Sequence, residues 1–118
     1  MSFTLVPSGR LRAMFACSFM FTPGALDDEF YRLDGEIDAF ATSLEGYVGV
    51  DRWFSEDRTV RNSVYYFTDM ATVKEFSAFP QHLEAKEKYA KWYDGYQIVI
   101  SEVRANYGDG RLTTALKT

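Results

Sequence analysis

The spacing of apolar positions changes several times along this chain, and each change marks a structural element. Met14 to Phe21 (MFACSFMF) is a short apolar run rich in aromatics that ends at Thr22-Pro23-Gly24, a strong breaker. It predicts a strand buried on both faces. From Leu26 the period becomes helical: Leu26, Phe30, Leu33, Ile37, Phe40 and Leu44 recur at alternating spacings of four and three. Asp27, Asp28 and Glu29 fall in the first turn, where a helix N-terminus favours acidic groups, and Gly46 follows the last periodic residue as a stop signal. Gly35 lies inside this helix at a cost of about 1 kcal/mol relative to alanine, which close packing would explain. Tyr47–Phe54 and Asn62–Thr68 are β-branched and aromatic runs flanking the polar segment SEDRTVR, the pattern of a hairpin with a long loop. Asp69 is placed to cap a second helical region in which Val73 and Phe76 face inward. Pro80 breaks and restarts that region, and Gln81 to Trp92 continue it. Tyr96 to Arg104 reads as the last strand.

The order β-α-β-β-α-β predicts an α+β, ferredoxin-like domain, a four-stranded antiparallel sheet with helices on one face. Residues 1–13 read as a lead-in, 14–105 as the domain, and 106–118 as a flexible or arm-like tail carrying Gly-Asp-Gly. The opposite sheet face is also expected to be apolar, because Met14–Phe21 and Tyr65–Phe67 leave few polar positions to alternate with. A second copy, packed sheet to sheet with two-fold symmetry, is the simplest cover and predicts a homodimer.

Composition narrows the field. The chain has 118 residues, enough for one domain with a real core, and 17% of them are aromatic, more than a small core needs. That surplus favours a cavity, an oligomer interface, or both. A net charge of −4 with no basic face argues against nucleic acid. No apolar run approaches the roughly 20 residues of a membrane helix, and no signal peptide is apparent. The lone Cys17 cannot form an internal disulfide, so the chain reads as cytoplasmic, with Cys17 a small buried hydrophobe in a strand. One His and one Cys without paired carboxylates make no metal site, and no phosphate loop or dinucleotide fingerprint is present.

The chemistry concentrates between Pro80 and Val103. His82, the only histidine, shares a helical face with Lys86, Tyr89 and Tyr93 at spacings of four, three and four. Trp53, Tyr65, Trp92, Tyr93 and Tyr96 are candidate walls for a planar aromatic ligand, since Tyr and Trp pair an apolar body with a polar tip. Strand alternation puts Tyr65 and Phe67 on one face and Tyr66 on the other. On a continuous helix Trp92 and Tyr93 lie about 100° apart, so at most one points inward. Lys86, Lys88 and Lys91 read as an exposed face paired with Glu84 and Glu87, and Asp51-Arg52 and Glu56-Asp57-Arg58 as a solvated hairpin.

With this strand order, the segments GYVGVDRWFSED (46–57) and FPQHLEAKEKY…WYDGY (79–96) make residues 13–105 resemble the antibiotic-biosynthesis-monooxygenase group of the dimeric α+β barrel superfamily. The resemblance implies a two-fold dimer with a pocket between each sheet and its helices. It also implies an activity among cofactor-independent oxidation of polycyclic phenols and anthrones, haem degradation and quinol oxidation, or a non-catalytic small-molecule-binding or stress-response role. In the first case His82 would be the base that forms an oxygen-reactive carbanion, with Trp92, Tyr93 and Tyr65 as pocket walls. In a haem-binding relative it would be the iron ligand.

Overall fold

The computed structural model describes residues 14–116, so the predicted lead-in lies outside the described residues. In chain order it has β1 (Phe15–Pro23), α1 (Asp28–Ser43), β2 (Tyr47–Phe54), β3 (Arg61–Phe67), α2 (Met70–Ser77), α3 (Pro80–Lys88), a 3-10 turn (Tyr89–Lys91) and β4 (Tyr93–Glu102). The strands form one antiparallel sheet in the order β2-β3-β1-β4. This is the ferredoxin-like α+β arrangement that the sequence predicts.

The helix starts fall near their sequence signals, although Asp27, read in the first turn of α1, stands just before it as the cap. Asp27 accepts the Phe30 N–H at 2.9 Å and caps α1, and Asp69 accepts the Thr72 N–H at 2.7 Å and caps α2. Pro80 opens α3 at a position where no N–H is needed. The apolar stripe of α1 divides between two cores. Phe30 and Leu33 pack with Phe21 and Trp92, while Ile37, Phe40 and Leu44 lie against a second cluster holding Cys17, Tyr65, Phe67, Val73 and Phe76.

Two glycines differ from each other in what surrounds them. A Cβ at Gly46 would sit 2.3 Å from Thr72 Oγ1 and 2.9 Å from Thr68 Oγ1, so this glycine lets the start of β2 approach α2. A Cβ at Gly35 would meet nothing within 4 Å, which corrects the expectation that close packing explains it.

Two irregularities in strand pairing set the side-chain faces. In β2 the register against β3 shifts between Tyr47 and Gly49, so Tyr47 and then Val50, Arg52 and Phe54 face the helices, while Gly49, Asp51 and Trp53 face away. In β4 the register against β1 shifts at Thr22/Pro23: Tyr96 pairs Phe21, Gly95 pairs Thr22 and Tyr93 pairs Pro23. Asp94 is the extra residue, and both Tyr93 and Tyr96 therefore face the helices.

The predicted helix from Gln81 to Trp92 ends earlier than expected. Regular α-helix stops at Lys88, the 3-10 turn carries the chain to Trp92, and β4 begins three residues before the predicted Tyr96. The tail does not hang free of the domain at its end. It lies over the helix-free sheet face, with Ala115 N–H donating to Asp51 Oδ1 at 2.8 Å and Ala115 resting where Gly49 leaves room. No helix among the described residues is long and apolar enough to cross a membrane.

Candidate functional site

Between the sheet and the helices is a cavity of about 270 Å³. β1 supplies its floor through Cys17 and Phe19, β3 through Arg61, Ser63 and Tyr65, and β4 through Tyr93, Tyr96, Ile98 and Ile100. Phe30, Leu33, Asp34 and Ile37 of α1 and Phe76, His82, Ala85, Lys86 and Tyr89 from α2 to the 3-10 turn close it.

His82 is part of this wall, and its chemistry is set by one contact. Its Nδ1 lies 3.1 Å from the Phe76 carbonyl oxygen. A carbonyl only accepts, so Nδ1 carries the proton and Nε2 holds the lone pair. The imidazole also packs edge-on against the Phe76 ring, with centroids 4.8 Å apart. Burial is the main influence on its pKa and pushes it below the ordinary histidine value; the Phe76 carbonyl opposes this, and the Lys86 charge adds to it. The ring is therefore neutral at pH 7, with Nε2 available as a base.

The other predicted residues are sorted by the fold. His82, Lys86, Tyr89 and Tyr93 do line one cavity, although Tyr93 reaches it from β4. Trp92 and Tyr93 both face inward, against the helical expectation, because neither is in the helix. Trp92 is 1% exposed and donates its indole N–H to Asp27 Oδ1 at 3.0 Å, so it braces the wall by tying the start of β4 to the start of α1. Tyr93 packs on Phe21 at 4.6 Å. Its hydroxyl bonds to no protein group among the described residues, and burial pushes its pKa up to about 12, which keeps it a donor. Tyr96, 49% exposed, stands at the mouth against Tyr89. Tyr65 contributes only its ring, because its hydroxyl donates to Asp38 Oδ1 at 3.0 Å and accepts from Arg52 Nη2 at 3.1 Å. Cys17 is a buried wall residue whose thiol burial holds protonated.

Trp53 is a correction. The irregularity at Val48 turns it to the opposite sheet face, where it lines a separate cleft with Tyr66 and the tail. Lys86 is exposed, as the sequence predicts, and only its expected ion pair is missing. Lys88 pairs with Glu29 and Glu84, and Lys91 with Glu29, but Lys86 forms no ion pair among the described residues and borders the cavity. Arg52 is not simply solvated either, since it pairs with Asp38 at 2.7 Å.

The sequence reading missed Arg61 and Asp34. They are 27 residues apart, and only the packing of α1 over β3 brings them together. Among the described residues, no three His, Cys, Asp or Glu side chains gather as a metal site.

No family model matches the chain, and no curated protein matches it. Solved structures do match its fold. The cofactor-independent oxygenase SnoaB of Streptomyces nogalater superimposes with a TM-score of 0.61 at 15% identity, over 80% of this chain and 95% of that one. This chain has the fold of the antibiotic-biosynthesis-monooxygenase proteins. Protein SO0527 of Shewanella oneidensis gives a TM-score of 0.66 at 10% identity, over 86% of this chain and 97% of that one. A proposed antibiotic biosynthesis monooxygenase of Nitrosomonas europaea gives 0.63 at 13% identity, over 80% and 93%. At these identities the likeness is one of fold.

Proposed function

We propose that this protein is a monooxygenase that oxidises a planar hydroxylated or quinone-like aromatic substrate, using the substrate's own carbanion to activate oxygen. The observation that carries the reading is the His82 imidazole, neutral, with its Nδ1 proton committed to Phe76 and its basic Nε2 in the wall of an aromatic cavity. The likeness of fold to an oxygenase that needs no cofactor supports it.

His82 Nε2 takes a proton from a ring methylene activated by a neighbouring carbonyl. The resulting enolate-carbanion is stabilised by the nearby Lys86 charge, which no protein carboxylate neutralises among the described residues. Dioxygen is the oxidant. It adds at the carbanion carbon, the resulting peroxide anion takes a proton to become a hydroperoxide, and loss of the remaining C–H proton with cleavage of O–O leaves a carbonyl and a hydroxide that is protonated to water. The balance is one methylene plus O₂ giving one carbonyl plus H₂O.

The active form is proposed to be a cytoplasmic homodimer joined through the helix-free sheet face. That face presents Met20 and Val99 among the polar Ser18, Asn62, Gln97 and Ser101, with Val64 already buried in the single chain, and the single cysteine suits a reducing compartment. Light scattering coupled to size exclusion reads the assembly state directly.

Oxygen uptake by the purified, haem-free protein with anthrone as substrate tests the reaction. Uptake should fall by roughly 10²–10⁴ in His82→Ala. Unchanged uptake in that variant would remove His82 as the base. No uptake by the wild type, with ligand still bound, would make the protein a binder rather than an enzyme.

A further inference from the structure

The cavity is polar at both ends and mostly apolar between them, where Ser63, paired with Phe19, is the polar group on the β3 floor. The register of β1 gives its length: Phe21 pairs Arg61 at one end and Cys17 pairs Tyr65 at the other, four residues apart, or about 13 Å along the strand. His82 belongs to the Tyr65 end, since both rings pack on Phe76. Phe19, Leu33 and Ile37 occupy the span between.

Arg61 at the far end is held but not satisfied. Its Nε–H donates to Ser63 Oγ at 3.2 Å, and its guanidinium lies 5.2 Å over the Phe21 ring. Its Nη2 reaches both oxygens of Asp34, at 3.4 Å each, well beyond the 2.7–2.9 Å of a tight charged pair. Among the described residues Nη1 has no hydrogen-bond partner, yet the Arg61 side chain is only 15% exposed. The other inward-facing arginine shows the contrast. Arg52 holds Asp38 at 2.7 Å, shares the Tyr65 hydroxyl, and does not line the cavity. One pair is a closed structural contact; the other is open toward a ligand.

We propose that Arg61 and Asp34 form a second recognition pole, and that the ligand is a ring system with oxygen at both ends of its long axis. The free guanidinium N–H groups donate to a ring oxygen and Asp34 accepts the proton of a hydroxyl. The pole favours a neutral phenol or hydroxy-ketone over a carboxylate, because Asp34 already balances the Arg61 charge. This rests on the cavity being the ligand site, as argued above, but not on the reaction.

The test is equilibrium binding to the full chain, read by tryptophan fluorescence quenching, with 2,6-dihydroxyanthraquinone and 2-hydroxyanthraquinone as probes. Wild type should bind the dihydroxy compound about tenfold more tightly, the worth of one hydrogen bond to a charged group. Arg61→Met should weaken the dihydroxy compound about tenfold more than the monohydroxy one and so remove that preference, and Asp34→Asn should narrow it. Arg61→Lys, which keeps the charge but loses the fork, replaces Arg61→Met if the latter does not fold. The proposal is overturned if wild type shows no preference, if it binds neither compound, or if the preference survives in the Arg61 and Asp34 variants. The preference can fail while His82-dependent oxygen uptake stands, and the reverse, so the two readings fail separately.

Discussion

Substituting alanine at Gly46 and at Gly35 should move stability in opposite directions, although the lower backbone entropy of the unfolded chain favours alanine at both. At Gly46 the new Cβ would lie 2.3 Å from Thr72 Oγ1, about 1 Å inside ordinary van der Waals contact, and 2.9 Å from Thr68 Oγ1. Thr72 cannot swing aside freely. It is buried, its hydroxyl donates to Asp69 Oδ1 at 2.8 Å, and that same carboxylate caps α2. Either the cap contact breaks or α2 shifts away from β2. Overpacking of this kind costs about 2–3 kcal/mol. At Gly35, on the exposed face of α1, the Cβ meets nothing, so Gly35→Ala should gain about 0.5–1 kcal/mol. Urea unfolding followed by circular dichroism and by the fluorescence of buried Trp92 measures both. With slopes of about 1–3 kcal/mol/M, the Gly46 variant should unfold about 1–2 M earlier and the Gly35 variant slightly later. If Gly46→Ala stays within about 0.5 kcal/mol of wild type, the close β2–α2 approach is not a constraint and the reasoning fails. Equal shifts of the same sign would mean that backbone entropy, not the contact, governs both sites.

The pH dependence follows from His82. Its folded pKa lies below the unfolded value of about 6.5, so the native state resists protonation. The stability it contributes is complete above pH 6.5 and is lost as pH falls through the folded value; His82→Gln should flatten that acid limb in urea unfolding at a series of pH values. The acid limb of kcat/KM for oxygen uptake should likewise lie below pH 6.5, and a limb above 7 would rule out a buried neutral base. The two tyrosines separate structure from binding. Tyr65→Phe breaks the bonds to Asp38 and Arg52 and should cost about 1–1.5 kcal/mol. Tyr93→Phe should leave stability within about 0.5 kcal/mol and weaken quinone binding several-fold, as measured by thermal melts and fluorescence titration.

The sequence by itself determined the elements and their order. The four-and-three spacing from Phe30 to Leu44 specifies α1, Asp27 and Asp69 mark helix starts because a short carboxylate there satisfies free backbone N–H groups, and Pro80 restarts the chain at α3. It also placed His82, Lys86 and Tyr89 on one face, since three residues within two turns of helix need only helical geometry to share a side. Local periodicity fails where one residue is added to a strand, because side chains alternate with a period of two and a single insertion reverses every later position. The irregularity at Val48 sends Trp53 away from the cavity, and the one at Asp94 brings Tyr93 in beside Tyr96. Nothing in the neighbouring residues announces either, because each arises from pairing with a distant strand. The Arg61–Asp34 pole is of the same kind. Its two charges look like ordinary surface residues in sequence, and they meet in the cavity wall only because β3 lies in the middle of the sheet with α1 packed across it.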